Sequence, residues 1–181
     1  PLELLLKAAG QGDAARVTAL LDEHPEIINE RGTLPGNTGL RTALHFGVHH
    51  EPIVRLLLER GADPNIRDQG DNAFPLHFAA ERGHFPVIKL LVEHGAETSA
   101  GMVDDHALDI IGWAACFGSG DREIVDYLIA HGARHNIFSA VAMGHTAAVR
   151  ELAAASRADL DLPIDRVEQR RRPLHLAVVK K

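Results

Sequence analysis

Apolar residues recur along the chain in pairs of short helical segments. From the small pair Ala79-Ala80, Ile88 follows nine positions after Ala79 and Leu91 follows twelve positions after it. The same spacing, lengthened or shortened by up to two residues in places, starts again at four other small residues: Ala8, Gly47, Ala114 and Ala140. A sixth start is visible at Ala177. These starting points lie about 34 residues apart on average, which is typical of stacked repeats and not of a single central core.

Glycine residues separate the segments of each repeat. The first segment ends near a glycine that precedes histidine or aspartate, at Gly12, Gly83, Gly120 and Gly144. The second segment stops at a Gly-Ala pair, at Gly61-Ala62, Gly95-Ala96 and Gly132-Ala133. Glycine just past a helix end adopts the left-handed conformation that lets the last carbonyls find partners. The pattern therefore predicts helix, tight turn, helix and loop, and stability that comes from stacking one repeat on the next.

A four-residue motif opens the first helix of three repeats: Thr42-Ala43-Leu44-His45, Phe74-Pro75-Leu76-His77 and Arg172-Pro173-Leu174-His175. With the repeat length, this motif resembles the ankyrin-repeat family, whose unit of about 33 residues opens with Thr-Pro-Leu-His. The resemblance implies an all-α ankyrin-repeat solenoid, built from helix-turn-helix units with β-turn fingers. It also implies that the motif histidine bonds to neighbouring turns and holds adjacent loops in register.

The repeat boundaries predict a single domain over residues 1–181. We expect five complete repeats at about 2–31, 39–70, 71–103, 107–134 and 135–161, followed by the opening of a sixth at 171–181. The fourth repeat has Asp109-Ile110-Ile111-Gly112 in place of the motif, and the connections at 29–41, 97–109 and 159–172 are long. The fingers should therefore differ in length. The incomplete sixth repeat, and a start at Pro1 without methionine, suggest a piece of a longer chain.

Charge and composition narrow the class of partner. The formal net charge of −6 argues against nucleic acid, whose binding requires neutralisation of phosphates by Lys and Arg, and we interpret the short basic run at 170–172 as a solvated loop. The apolar opening segment at 1–10 carries Glu3 and Lys7 and is too short to span a membrane. A lone cysteine, Cys116, forms no internal disulfide and fits a reducing compartment. We therefore expect a soluble cytoplasmic protein that is a monomer in isolation.

The twelve histidines raise the question of a metal site. Two pairs have the i,i+4 spacing that places imidazoles on one side of a helix: His45/His49 and His131/His135. The second pair straddles Gly132, where the helix should end. The first pair lacks an evident third ligand apart from its neighbours in the sequence, His50 or Glu51. We predict no metal and no cofactor, and a metal-dependent hydrolase is the least favoured alternative.

Other catalytic patterns are also weak. The segment around Ser119 has the wrong spacing for a nucleophile elbow and joins two helices. Cys116 is better interpreted as a small packing residue, and the acid-base run at 104–106 lies in a loop with no third group to align. The chain is therefore not expected to be an enzyme.

Candidate contact residues are those that the repeat pattern does not require. By the family resemblance, fingers and first helices form a concave face that binds other proteins. On the fingers the candidates are Leu34, Asn37, Leu40, Arg41, Gln69, Asp71, Asn72, Met102, Val103, Asp105 and His106; on the first helices they are Val48, His49, Glu81, Arg82, Trp113, Phe117 and Met143. We expect a non-catalytic scaffold for an unidentified protein partner. The alternative is a targeting or regulatory ankyrin module of a larger, possibly enzymatic protein.

Two candidates have alternative interpretations. Trp113 stands where other repeats have Phe46, Phe78 and Leu176, which favours a packing residue over an aromatic anchor for a partner. Met102 and Val103 are apolar residues in an acidic loop, and they form either a contact site or a loop that folds back on its neighbour.

Overall fold

The computed structural model describes residues 1–37, 39–98 and 108–156, and these residues form short helices joined by turns and loops. The helices are α1 (Leu2–Gln11), α2 (Ala14–Glu23), a 3-10 helix (Pro25–Asn29), α3 (Ala43–Gly47), α4 (Glu51–Glu59), α5 (Pro75–Glu81), α6 (Phe85–Glu93), α7 (Ile110–Gly112), a π-helix (Trp113–Phe117), α8 (Arg122–Ala130), α9 (Ile137–Ala142) and α10 (Thr146–Ala155). Within those ranges, none is long and apolar enough to cross a membrane. Extended pairing among the described residues is limited to one isolated antiparallel bridge, between Gly32 and Arg41.

The predicted all-α fold of helix-turn-helix repeats is confirmed. Five helical pairs follow one another: α1 with α2, α3 with α4, α5 with α6, α7 and the π-helix with α8, and α9 with α10. Gly83 ends the first helix of its pair with φ 66°, and Gly95 ends the second with φ 85°. A residue with a Cβ would be strained at either position, which is why glycine marks both turns.

The chain divides into two compact units. The N-terminal unit comprises Pro1–Ala79 with His84–Glu97, and the C-terminal unit comprises Ala80–Gly83 with Thr98–Lys181, of which residues 80–83, 98 and 108–156 are described. The predicted sixth repeat at 171–181, with Pro173, Leu174 and His175, lies outside the described residues. So do the finger residues Met102, Val103, Asp105 and His106.

The core of the N-terminal unit is a series of layers between neighbouring repeats. Helix α4 packs against α2 on one side and α6 on the other, and it buries Ile53, Val54 and Leu57 completely. Burial of each such side chain stabilises the fold by about 1.5–3 kcal/mol. Because each layer lies between two repeats, a repeat depends on its neighbours for its hydrophobic core.

His45, the motif histidine of the second repeat, joins two consecutive loops, as the resemblance implied. The backbone N–H of Thr42 donates to Nδ1 of His45 at 3.2 Å, and Nε2 of His45 lies 3.2 Å from the carbonyl oxygen of Ala73 in the following loop. A carbonyl can only accept, so Nε2 carries the proton of a neutral imidazole. Burial lowers the pKa of His45 from 6.5 to about 4, which keeps the ring neutral near pH 7.

The fourth and fifth repeats cap their first helices with other side chains. Oδ1 of Asp109 accepts from the backbone N–H of Gly112 at 2.7 Å. Oδ1 of Asn136 accepts from the backbone N–H of Ser139 at 2.9 Å, and Oγ of Ser139 accepts in return from that of Asn136 at 3.1 Å. The fourth repeat therefore loses proline and histidine but keeps a cap. The fifth has a reciprocal capping box, whose residue types differ from those of the four-residue motif.

An asparagine after the second helix connects each of the first two repeats to the next. Nδ2 of Asn65 donates to the carbonyl of Gly95 at 2.9 Å, and its Oδ1 accepts from the backbone N–H of Glu97 at 2.8 Å. Asn29, 36 positions earlier, makes the same two types of bond to Gly61 and Asp63. Recurrence of one residue type near the repeat length was the signal in the sequence that could have revealed this bridge.

Replacement of Asn65 with alanine is expected to lower the unfolding free energy by about 2 kcal/mol, because two hydrogen bonds between repeats are lost. The measurement is urea unfolding followed by circular dichroism at about pH 7. Asn37→Ala is the control in the same unit, since Asn37 is exposed on a loop, and it should change stability by less than about 0.5 kcal/mol. Equal effects of the two substitutions would contradict the proposed bridge.

Candidate functional site

Two loops of the N-terminal unit form closed fingers. The first finger, residues 31–41, is closed by the N–H of Gly32 to the carbonyl of Arg41 at 3.0 Å and by the reciprocal bond at 2.8 Å. The second finger, residues 67–73, is closed by the N–H of Asp68 to the carbonyl of Ala73 at 2.8 Å. Each finger is therefore held by backbone bonds at its base.

The two fingers also bind each other. The backbone N–H of Gln69 donates to the carbonyl of Leu40 at 2.9 Å. Gly39 lies so close to Gly70 that a Cβ on Gly39 would be 2.8 Å from the Cα of Gly70. Such a close approach requires that Gly39 has no side chain. We call the outward residues of the two fingers the paired-finger surface, which consists of Leu40, Gln69, Asp71 and Asn72.

Arg41 fixes the second finger to the first. Its Nε lies 3.2 Å from Oδ2 of Asp68, and its Nη2 lies 3.3 Å from Oδ2 of Asp71. The guanidinium carbon also lies 4.5 Å from the centre of the Phe78 ring on α5, within range of a cation-π contact. The sequence analysis predicted Arg41 as a contact for a partner. In the structure its side chain mainly contacts other residues of the N-terminal unit.

Asp68 organises the second finger and was not among the predicted site residues. Its side chain is 0% exposed, and Oδ1 accepts from the backbone N–H of Ala73 at 2.8 Å and from that of Asp71 at 3.3 Å. These bonds hold the turn in which Asn72 has a positive φ of 57°. An aspartate that precedes Gly and Asn in a loop is typical of such turns, and this was the available signal.

Some of the candidate contact residues on the first helices lie at the surface, and others lie in the interior. His49 and Arg82 are exposed, and Glu81 and Met143 are partly exposed. Val48 is only 1% exposed and packs in the core, so its side chain is not available to a partner.

Trp113 packs inside the C-terminal unit, at 4% exposed, and does not present its ring at the surface. Its ring meets Phe117 edge to face with centres 5.4 Å apart, and Phe117 carries the exposed aromatic surface. Both residues belong to the π-helix, in which the N–H of Gly118 donates to the carbonyl of Trp113 at 2.8 Å. The π-helix therefore carries one buried and one exposed aromatic side chain.

Models of ankyrin repeats match residues 40–69 as one repeat and residues 65–139 as three copies, and together they cover more than half of the chain. The chain belongs to the ankyrin-repeat family. Ankyrin repeats indicate a protein-interaction module, and this is the functional class that the family supports.

Two curated proteins are similar in sequence to part of this chain. The first is named probable E3 ubiquitin-protein ligase XBOS33, from Oryza sativa subsp. japonica, and is 39% identical over 85 residues, which cover 46% of this chain and 15% of that protein. The second is oxysterol-binding protein-related protein 1 from Homo sapiens, 40% identical over 85 residues, which cover 45% of this chain and 8% of that protein. The chain therefore corresponds to a small part of either relative.

The histidines of the ankyrin repeats make contacts that differ from the two i,i+4 pairs seen in the sequence. Nδ1 of His45 bonds to Thr42, and its Nε2 bonds to Ala73. Nδ1 of His131 lies 2.8 Å from the carbonyl oxygen of Tyr127, whereas Nε2 of His135 lies 2.7 Å from Nδ1 of His145. Among the described residues, no group of three or more His, Cys, Asp or Glu side chains is placed to hold a metal ion.

Proposed function

We propose that the ankyrin module binds a protein partner through the paired-finger surface, as a non-catalytic scaffold. The observation that carries this proposal is that the two fingers are bonded to each other and still expose Leu40, which is 38% accessible. An exposed leucine between polar groups is a suitable apolar anchor for a partner. Loops held on a rigid framework are common positions for binding residues.

The rigidity of the fingers favours binding. A loop that is already in its bound conformation loses little conformational entropy when the complex forms. Here the Gly39–Gly70 approach and the ion pairs of Arg41 fix the backbone on both sides of Leu40. Gln69 and Asn72 are exposed on the second finger and offer amide groups for hydrogen bonds to a partner backbone.

The non-catalytic part of the proposal rests on how the candidate catalytic groups are used. His45 is neutral and caps a helix, and His50 uses Nε2 to bond the carbonyl of Gly10 in the preceding repeat at 3.1 Å. These side chains serve the contacts between repeats. We further propose, from the lone Cys116, that the module acts in the reducing cytoplasm, and that it is a monomer in isolation.

Replacement of Leu40 with glutamate is expected to weaken binding of the partner at least about 10-fold, because a charge would replace the apolar anchor at the interface. The partner is first identified by affinity capture on the native chain and mass spectrometry. Its purified form is then titrated by calorimetry against the native and variant chains.

Ile129→Glu is the matched control, since Ile129 on α8 has 37% exposure against 38% for Leu40. It should bind as the native chain does. The proposal fails if the two variants bind equally well, or if Ile129→Glu alone loses binding while both retain the native circular dichroism spectrum.

A second candidate function is a targeting or regulatory module of a longer, possibly enzymatic protein. The observation in its favour is that both relatives extend far beyond the matched 85 residues, and that one is named as a ligase. Antibodies raised against this chain would test it in extracts of the source cells. A band with a mass much larger than that of a chain of 181 residues supports this candidate, and a band with the mass of such a chain opposes it.

A further inference from the structure

Two imidazoles face each other in the fifth repeat. Nε2 of His135 lies 2.7 Å from Nδ1 of His145, and the ring centres are 4.7 Å apart with planes at 88°. His135 immediately precedes Asn136, the N-cap of α9, and His145 is itself the N-cap of α10. The bond therefore connects the beginnings of the two helices of one repeat.

The protons of this pair can be assigned from its neighbours. Oγ of Ser139 donates to the carbonyl of Asn136 at 3.1 Å, so it can accept from Nδ1 of His135, which lies 3.0 Å away. In the neutral pair Nδ1 of His135 then carries the proton, its Nε2 accepts, and Nδ1 of His145 donates. One added proton keeps the bond, since a doubly protonated His135 donates at Nε2 to Nδ1 of His145.

A second added proton cannot be accommodated. It would place an N–H on each of the two nitrogens that face each other at 2.7 Å, and two positive rings would be in contact. We propose that the His135–His145 pair is an acid-sensitive clasp, which is closed with up to one added proton and opens when both imidazoles are charged. Opening releases the start of α10 from the start of α9.

The surrounding charges favour opening at low pH. Burial and the neighbouring His145 lower the pKa of His135, and Asp126 on α8 opposes this in part. The elements around the hairpin also carry ionisable groups, namely Cys116, Tyr127, Arg134, Arg150 and Glu151, and the last three are exposed.

The sign of the effect follows from the lowered pKa. In an unfolded chain His135 becomes protonated as the pH falls below its ordinary pKa of 6.5. In the folded pair the second proton binds only at a lower pH. The stability from the clasp is therefore complete above pH 6.5 and is lost as the pH falls below that value. In a repeat protein this loss remains local, because each repeat depends on its nearest neighbours.

The test is an NMR titration of the full chain between about pH 7.5 and pH 5, with observation of the imidazole carbons and of the Val149 and Leu152 methyl groups on α10. The clasp predicts two imidazole steps separated by about one pH unit or more. It also predicts reversible changes in the α10 methyl signals that follow the lower step. Independent titration of both rings near their ordinary pKa, with unchanged α10 signals, would overturn the proposal.

A variant and its control sharpen this test. His145→Asn removes one imidazole and keeps a good N-cap residue, so His135 should titrate in one step and the α10 signals should no longer change with pH. His131→Asn removes a histidine outside the pair and should leave both native steps in place. If α10 still opens with pH in His145→Asn, the clasp is not the cause; if that variant does not fold, the native titration decides.

Discussion

Replacement of Arg41 with methionine is expected to cost the N-terminal unit about 3 kcal/mol of unfolding free energy, because it leaves a buried carboxylate without its counter-charge. That carboxylate is Asp68, whose side chain is 0% exposed and whose Oδ2 lies 3.2 Å from Nε of Arg41. Methionine keeps most of the aliphatic volume against Phe78 but has no charge. Urea unfolding at about pH 7 measures the effect.

Two controls separate the buried charge from other causes. Arg55→Met removes an exposed ion pair of the same type, between Arg55 and Glu51 on α4, and should cost less than about 0.5 kcal/mol. The double variant Arg41→Met with Asp68→Asn removes both charges and should regain part of the lost stability. If Arg41→Met and Arg55→Met cost the same, the ion pair does not hold the fingers.

Acidification is expected to remove about 3 kcal/mol of stability through His45. Burial lowers its pKa from 6.5 to about 4, so between these values the unfolded chain binds a proton that the folded chain does not. The contribution is fully present above pH 6.5 and is lost as the pH falls toward 4. Urea unfolding at about pH 7 and about pH 4 gives the total change for the native chain.

His45→Gln isolates the histidine from the other groups that titrate in this range. Glutamine at this helix position can still cap the backbone, but it has no proton to gain. The variant should lose about 3 kcal/mol less than the native chain over the same interval. Equal losses in the two chains would show that His45 does not control acid stability.

The repeat architecture was predictable because each of its signals is local and recurs. Apolar spacing, terminal glycines such as Gly95 and the motif ending in His45 or His77 all lie within one repeat, and the structure confirms the helices that they predict. The capping role of Asn136 and Ser139 was missed because the residue types differ while their positions correspond. The fifth repeat therefore keeps the geometry of the helix cap but forms it with other side chains.

Contacts between repeats were harder to predict. The approach of Gly39 to Gly70 and the pair of Arg41 with Asp68 depend on how neighbouring fingers lie in space, and separation in sequence does not encode that distance. The bond of His135 to His145 lies within one repeat, but it was equally hard to predict because it depends on how two helices lie in space. The sequence could identify finger residues, but it could not separate Asp68, which holds the loop, from Leu40, which is exposed.

Hydrogen exchange of single backbone amides tests most directly whether the two fingers form one ordered surface. The amide of Gln69 bonds to Leu40 of the other finger, so it should exchange nearly as slowly as the amide of Leu57 inside α4. The amide of Gly36, at the tip of the first finger, provides the fast reference in the same spectrum. Exchange of Gln69 at the rate of Gly36 would contradict the paired-finger surface and the binding proposed for it.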